Sequence, residues 1–185
     1  EVQQRNPGLG DATSTLRLLE RAFHDHFGID QTLWLNRGCA GDDTHGHIDD
    51  ITRFVAGVRN ATDTILACVE PNRADDNHLP LAENIDRLRG FRQSLGPCRG
   101  KPCLIVELPM PAPVVFAGQR LPASYANFYI ANGLVLVPTF NDANDRRALN
   151  IVADCFPSRE VVGIHAVDLV WGLGTLHCLT QQEPA

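Results

Sequence analysis

The sequence predicts one mixed α/β domain, and three observations carry that expectation. Short apolar runs rich in β-formers alternate with segments of helical periodicity. An Asn132-Gly133 pair separates two of those runs, the strongest short hairpin signal a sequence offers. No low-complexity stretch or interdomain linker divides the 185 residues, a length that suits a single core.

The first element is a helix capped by Thr13 or Ser14 and running to about Phe27. Leu16, Leu19, Phe23 and Phe27 recur at helical spacing, and Gly28 ends it. Thr32-Leu33-Trp34-Leu35 reads as a short strand. A polar loop from Arg37 to Asp50 feeds a second strand through about Val55, and Thr62 to Val69 is a third. Glu70 to Leu79 reads as a surface loop, and Leu81 to Leu95 as an amphipathic helix ended by Gly96-Pro97. Pro102 to Leu108 is a strand, after which the prolines of Pro109 to Pro113 forbid a ladder. Ser124 to Ile130 and Leu134 to Val137 flank the hairpin turn. Asp142 caps a helix over Arg146 to Asp154 and Pro157 stops it. Val161 to Ile164 is a strand, and Asp168 to Val170 one helical turn. A loose helix-then-strand repetition runs through this order, but residue identity does not repeat.

Hydrophobic residues are 44% and charged residues 21%, a globular rather than a disordered balance. The net charge of -6 and the lack of a basic patch argue against a nucleic-acid partner. No apolar run approaches the roughly 20 residues that span a bilayer, so no membrane partner is expected. Cys39, Cys68, Cys98, Cys103, Cys155 and Cys178 form no CxxC pair, a pattern that reads as reduced thiols in a cytoplasmic setting. A Cys98–Cys103 disulfide is the alternative at those two positions. The first residues are neither a signal peptide nor a transit sequence, and Glu1 in place of methionine suggests a start inside a longer gene product.

Three constellations carry chemistry. Gly46-His47-Ile48-Asp49, read as the entry to a strand, puts His47 and Asp49 on one face, where His45 could join them. It has three readings: a polar surface loop, a zinc hydrolase site built from His45, His47 and Asp49, or a general base with a substrate-holding carboxylate. Cys178, in Leu176-His177-Cys178-Leu179, is either a small core hydrophobe or a nucleophile. An unperturbed thiol is only about 3% thiolate at pH 7, so a nucleophile needs a cation nearby, from an imidazolium or the substrate. On a strand His177 would face away from Cys178, which makes distant His47 the better partner. Asn127 is a lone amide in an apolar run, a structural tie or a substrate contact. Asp42-Asp43-Thr44 reads as a turn with side-chain-to-backbone bonds.

Several stretches together resemble the agmatine deiminase and bacterial-type peptidylarginine deiminase family. They are Trp34 to Gly38, Gly41-Asp42-Asp43-Thr44-His45-Gly46-His47-Ile48-Asp49, Ala123 to Gly133, Pro138 to Asp142, Phe156 to Ile164 and His177 to Ala185. The resemblance implies a pentein-type β/α propeller of pseudo-fivefold αβ modules, of which residues 1–185 would be the C-terminal portion of a single domain. It implies hydrolysis of the guanidinium of agmatine to N-carbamoylputrescine and ammonia, as in putrescine synthesis, through a covalent thiouronium on cysteine. Matched by position, Cys178 is the nucleophile, His47 the general acid/base and Asp49 a carboxylate gripping guanidinium nitrogens. Asp43, Asn127 and Gly174 fall at substrate-binding positions.

The same resemblance implies no cofactor and no metal, and a small cationic guanidinium substrate. It places the family's other two guanidinium-holding carboxylates in an N-terminal half absent from this chain. Gly172-Leu173-Gly174-Thr175 stands where the family has a more glycine-rich run. Free or peptidyl arginine as substrate, the zinc hydrolase, and a non-catalytic fragment or paralogue stay open beside the agmatine reading. A homo-oligomer stays open as well.

Overall fold

The computed structural model describes residues 6–43, 46–59, 62–94 and 104–183. The chain divides into two compact units, Glu1–Leu35 and Asn36–Ala185. In the first, α1 (Ala12–Phe27) follows a single turn at Pro7–Leu9. Its cap is Asp11 rather than Thr13 or Ser14: the Asp11 carboxylate accepts from the Ser14 N–H at 2.9 Å. The Thr32–Leu35 run is not a strand. Trp34 lies back on the helix, donating its indole N–H to Glu20 at 2.7 Å and packing its ring on Phe23.

The second unit contains the same module twice. In the first copy β1 (Thr52–Arg59) pairs antiparallel with β2 (Thr62–Val69), α2 (His78–Ser94) crosses over, and β3 (Leu104–Pro109) returns parallel to β2. After a two-residue hairpin, β4 (Val115–Phe116) with β5 (Gln119–Arg120), the order recurs. Here β6 (Tyr129–Ile130) pairs antiparallel with β7 (Leu134–Thr139), α3 (Asp145–Cys155) crosses over, and β8 (Glu160–His165) returns parallel to β7. This repetition of one α/β module agrees with the pentein-type fold that the family resemblance implies. Parallel return of the third strand requires a crossover of a dozen or more residues, and α2 and α3 supply it.

The Asn132-Gly133 hairpin forms as expected, closed by the Ala131 N–H on the Leu134 carbonyl at 2.9 Å. Its first strand is shorter than the apolar run, because Ser124 to Asn127 turn before pairing starts at Tyr129. Helix α3 starts at Asp145, and Asp142 instead closes the turn before it by accepting from the Asn144 N–H at 2.7 Å. The helical turn near Asp168 is present as a 3-10 turn at Leu169–Gly172. The end of α2 near Gly96-Pro97 and the Cys98 and Cys103 pair lie outside the described residues. No described helix is long and apolar enough to cross a membrane.

Leu66, Leu108, Val135, Val137, Val152 and Phe128 are fully buried between sheets and helices, and Phe128 meets Phe156 edge-on. Each such side chain contributes about 1.5–3 kcal/mol relative to exposure. Against this core, side-chain amides hold the segment that leads to the polar loop. Asn84 accepts from the Asn36 N–H and donates to the Arg37 carbonyl, while Asn77 accepts from the Ala40 N–H. Gly41 then sits at φ +95, where a Cβ would lie 2.6 Å from the Leu121 carbonyl carbon. Gly41→Ala therefore combines left-handed strain with a backbone clash. It is expected to lower stability by about 2 kcal/mol or more, read as a fall in melting temperature; an unchanged melt would contradict this packing.

Candidate active site

Both modules present their site residues in the turn just before the first strand. His47 precedes a 3-10 turn, Ile48–Asp50, that leads into β1, and Ser124 to Asn127 lead into β6. The two entrances are tied together: Ser124 Oγ donates to the Asp50 carbonyl at 2.7 Å, and Asn127 Nδ2 donates to Asp49 Oδ2 and Asp50 Oδ1, both at 2.9 Å. The third contributor is the C-terminal segment around Thr175 to Leu179, which forms turns rather than a strand.

Asn127 is 1% exposed and its carboxamide is the hub. Oδ1 accepts from the Thr175 N–H at 3.1 Å, the Thr175 hydroxyl at 2.9 Å and the His177 N–H at 3.2 Å. The Cys178 N–H approaches the same oxygen at 3.4 Å. Nδ2 faces two carboxylates and, at 3.2 Å, the Cys178 sulfur. Donors on one side and acceptors on the other leave one orientation of the amide consistent with the network. Nδ2 carries two protons for three acceptors, so the thiol and the carboxylates compete for them.

Asp49 Oδ2 collects donors from three residues: Asn127, His177 Nδ1 at 2.6 Å and the Cys178 thiol at 3.3 Å. Burial pushes its pKa up, but hydrogen bonds from His177 and Cys178 outweigh that and hold it below the usual carboxylate value. Because residues 48–50 form a 3-10 turn, the expected alternation of a strand does not apply, and His47 and Asp49 take different partners. His47 Nδ1 pairs with Asp42 Oδ1 at 3.2 Å, while Asp42 Oδ2 accepts from the Gly46 and His47 N–H groups. Asp42 thus makes the side-chain-to-backbone turn read from the sequence. Asp43, beside it, is exposed.

The structure also overturns the expectation that His177 faces away from Cys178. In a turn, neighbouring residues can converge, and here both reach the same oxygen of Asp49. Gly174 packs directly under the thiol; a Cβ there would lie 2.7 Å from Cys178 Sγ. The structure thus gathers Cys178, Asp49, Asn127 and Gly174 at one place. Leu173 occupies a left-handed conformation at φ 64, so the residue that departs from the glycine-rich run carries backbone strain.

Of the zinc set His45/His47/Asp49, His45 lies outside the described residues, and Asp49 is engaged by the thiol, His177 and Asn127. A different trio, Asp42, His47 and Asp50, brings one ligand-type atom from each within 4.8 Å of one another. Asp50 is fully buried, and its Oδ2 has no hydrogen-bond partner. Burial, with Asp49 and Asp42 nearby, pushes its pKa up to about 8. A proton on Asp50 therefore relieves crowding among the carboxylates at neutral pH. Asp50 was not singled out from the sequence, although the Asp49-Asp50 pair was its one signal.

Cys178 is exposed, unlike Cys39, Cys68 and Cys155. Partial burial and the carboxylates of Asp49 and Asp50 raise its pKa, opposed by the Asn127 hydrogen bond. In the free protein the thiol keeps its proton and donates it to Asp49.

The fold is a pentein-type α/β fold, and its two modules and C-terminal turn set an exposed thiol against carboxylates and a buried amide. The chain belongs to the Porphyromonas-type peptidyl-arginine deiminase family, whose model matches residues 2–184. A Legionella pneumophila (strain Paris) protein named "Putative agmatine deiminase" is 32% identical over 181 residues, covering 97% of this chain and 48% of the relative. The crystal structure titled "Putative Arginine Deiminase" from Porphyromonas gingivalis is 38% identical with a TM-score of 0.83, over 98% of this chain and 50% of that one. Agmatine deiminase of Enterococcus faecalis is 27% identical with a TM-score of 0.80, over 97% and 50%. The chain spans about half the length of the relatives it matches.

Two outcomes follow from this geometry. Among the described cysteines, iodoacetamide is expected to label Cys178 well before Cys39, Cys68 and Cys155, read by peptide mass spectrometry; equal labelling would contradict the placement. Asp50, at about 8 in the fold against 3.8, binds more protons folded than unfolded. Its stabilising effect is complete below about pH 4 and is lost as pH rises towards 8. Asp50→Asn should flatten that decline, by an amount on the order of a few kcal/mol, in melts recorded from pH 4 to 8.

Proposed function

We propose that this chain carries the nucleophilic part of a deiminase that hydrolyses the guanidinium of agmatine to N-carbamoylputrescine and ammonium. The observation that carries the reading is the contact of one exposed thiol with Asp49 and Asn127 in a chain of the deiminase family. A guanidinium is permanently charged and offers a planar fork of donors, which carboxylates match. When it docks on Asp49 it displaces the thiol from its acceptor. Its charge also cancels the field that holds the thiol protonated, so substrate arrival itself favours the thiolate, and the thiol proton passes to His47.

The thiolate of Cys178 adds to the central guanidinium carbon. A C–N bond then breaks as ammonia leaves with a proton from His47, whose ring Asp42 orients. The product of that step is a thiouronium on Cys178. Water gives a proton to His47 and adds to the same carbon, and the C–S bond breaks to return the thiolate and release the ureido product. The net change is one water consumed and one ammonium released. Asn127 donates to the sulfur and so favours the thiolate when it forms and when it departs.

The names of the relatives favour agmatine, and the family description favours a peptidyl-arginine; agmatine is the stronger reading because the curated relatives carry that name. The half-length match supports a site completed by residues outside 1–185, which would hold the rest of the guanidinium and the substrate's tail. A reduced, cytoplasmic setting suits a free catalytic thiol.

Assayed for ureido product from agmatine, free arginine and an arginyl peptide, the protein is expected to prefer agmatine. Cys178→Ala should remove turnover by about a thousandfold or more, and retained activity would refute the nucleophile. Stoichiometric zinc with activity lost to a chelator would instead favour metal chemistry at Asp42, His47 and Asp50.

A further inference from the structure

Arg53, the second residue of β1, is absorbed by none of the roles above. Its side chain reaches across to the turn that carries Asn127. Nη1 donates to the Ala126 carbonyl at 3.0 Å and to the Phe128 carbonyl at 2.7 Å, the two peptide groups on either side of the hub. Its guanidinium lies 4.5 Å from the centre of the Phe128 ring, a cation–π contact with a side chain that is itself fully buried. The charge interacts with Asp49, Asp50 and Cys178, which offset part of its burial. Asn127 and Asp49 touch the thiol, and Asp50 and His177 are hydrogen-bonded to one or both of them. Arg53, tied to the backbone on either side of Asn127, is the permanent cation of this group.

We propose that Arg53 is a positioning residue for the Cys178 site. It fixes the Ala126–Phe128 backbone, and so the Asn127 carboxamide, and lends the positive charge that lets a thiolate persist beside the Asp49 carboxylate. The inference rests on Cys178 being the nucleophile. A packing residue would not need two hydrogen bonds that straddle the hub residue. An uncharged side chain of similar length could fill the same space. The thiolate is consumed when the C–S bond forms and returned when it breaks, and the charge of Arg53 is present at both moments, whereas the substrate's charge is lost once ureido product forms.

The test compares Arg53→Gln, which keeps a donor for the carbonyls and removes the charge, with Arg53→Lys, which keeps the charge. The readouts are the pH profile of Cys178 alkylation by iodoacetamide and kcat for ureido product, with melting curves to confirm folding. Arg53→Gln is expected to raise the alkylation midpoint by about one pH unit and to lower kcat about tenfold or more. Arg53→Lys should bring the midpoint most of the way back. A folded Arg53→Gln protein with an unmoved midpoint would overturn the proposal, as would a midpoint raised equally by Lys and Gln. Alkylation reads the thiol whether or not product forms. Failure of the deiminase reading would therefore appear separately, as an unsubstituted protein that makes no ureido product.

Discussion

The site depends on one buried carboxamide. Asn127 takes donors from the C-terminal turn on its oxygen and aims its nitrogen at two carboxylates and a sulfur. A buried polar group left unpaired costs about 1–3 kcal/mol, so a site that gathers this many around one amide has few alternative arrangements. The carboxylates are tolerable together because Asp50 holds a proton and Asp49 is met by His177 and the thiol. Remove the amide and these compensations lose their common reference point.

That amide also joins the two repeated modules. Each module begins with a turn whose side chains face the same place: Asp49 and Asp50 in one, Ser124 and Asn127 in the other. The site is thus assembled from equivalent positions of a repeated fold, and the C-terminal turn adds the exposed thiol, the proposed nucleophile. The thiol is exposed while Asn127 and Asp50 are buried, which suits a group that must meet a substrate on a rigid base. Its raised pKa is no obstacle, because the proposed substrate brings the charge that lowers it.

Much of the module order was legible in the sequence. Asn132-Gly133 marked its hairpin, and the periodicity of Leu16, Leu19 and Phe23 marked α1. Less legible was anything that depends on turns. A strand was expected to align His47 with Asp49 and to separate His177 from Cys178; the 3-10 turn and the final turns reverse both relations. Trp34 read as strand because β-formers surround it, yet its indole found a helix carboxylate instead of a neighbouring strand. Partners such as Asp49 with Cys178 lie 129 positions apart, so only the family resemblance, and no local pattern, could pair them. Arg53 was invisible for a related reason: its partners are backbone carbonyls, which leave no mark in residue types.

The proposed function stands on attack of Cys178 at a guanidinium carbon. The most direct measurement is rapid acid quench of the protein with agmatine, followed by peptide mass spectrometry of the Cys178 segment. The account predicts a transient adduct on Cys178 equal in mass to agmatine less ammonia, appearing before the ureido product and decaying as product accumulates. Product formation with that peptide unmodified throughout, and undiminished after Cys178 is alkylated, would contradict it.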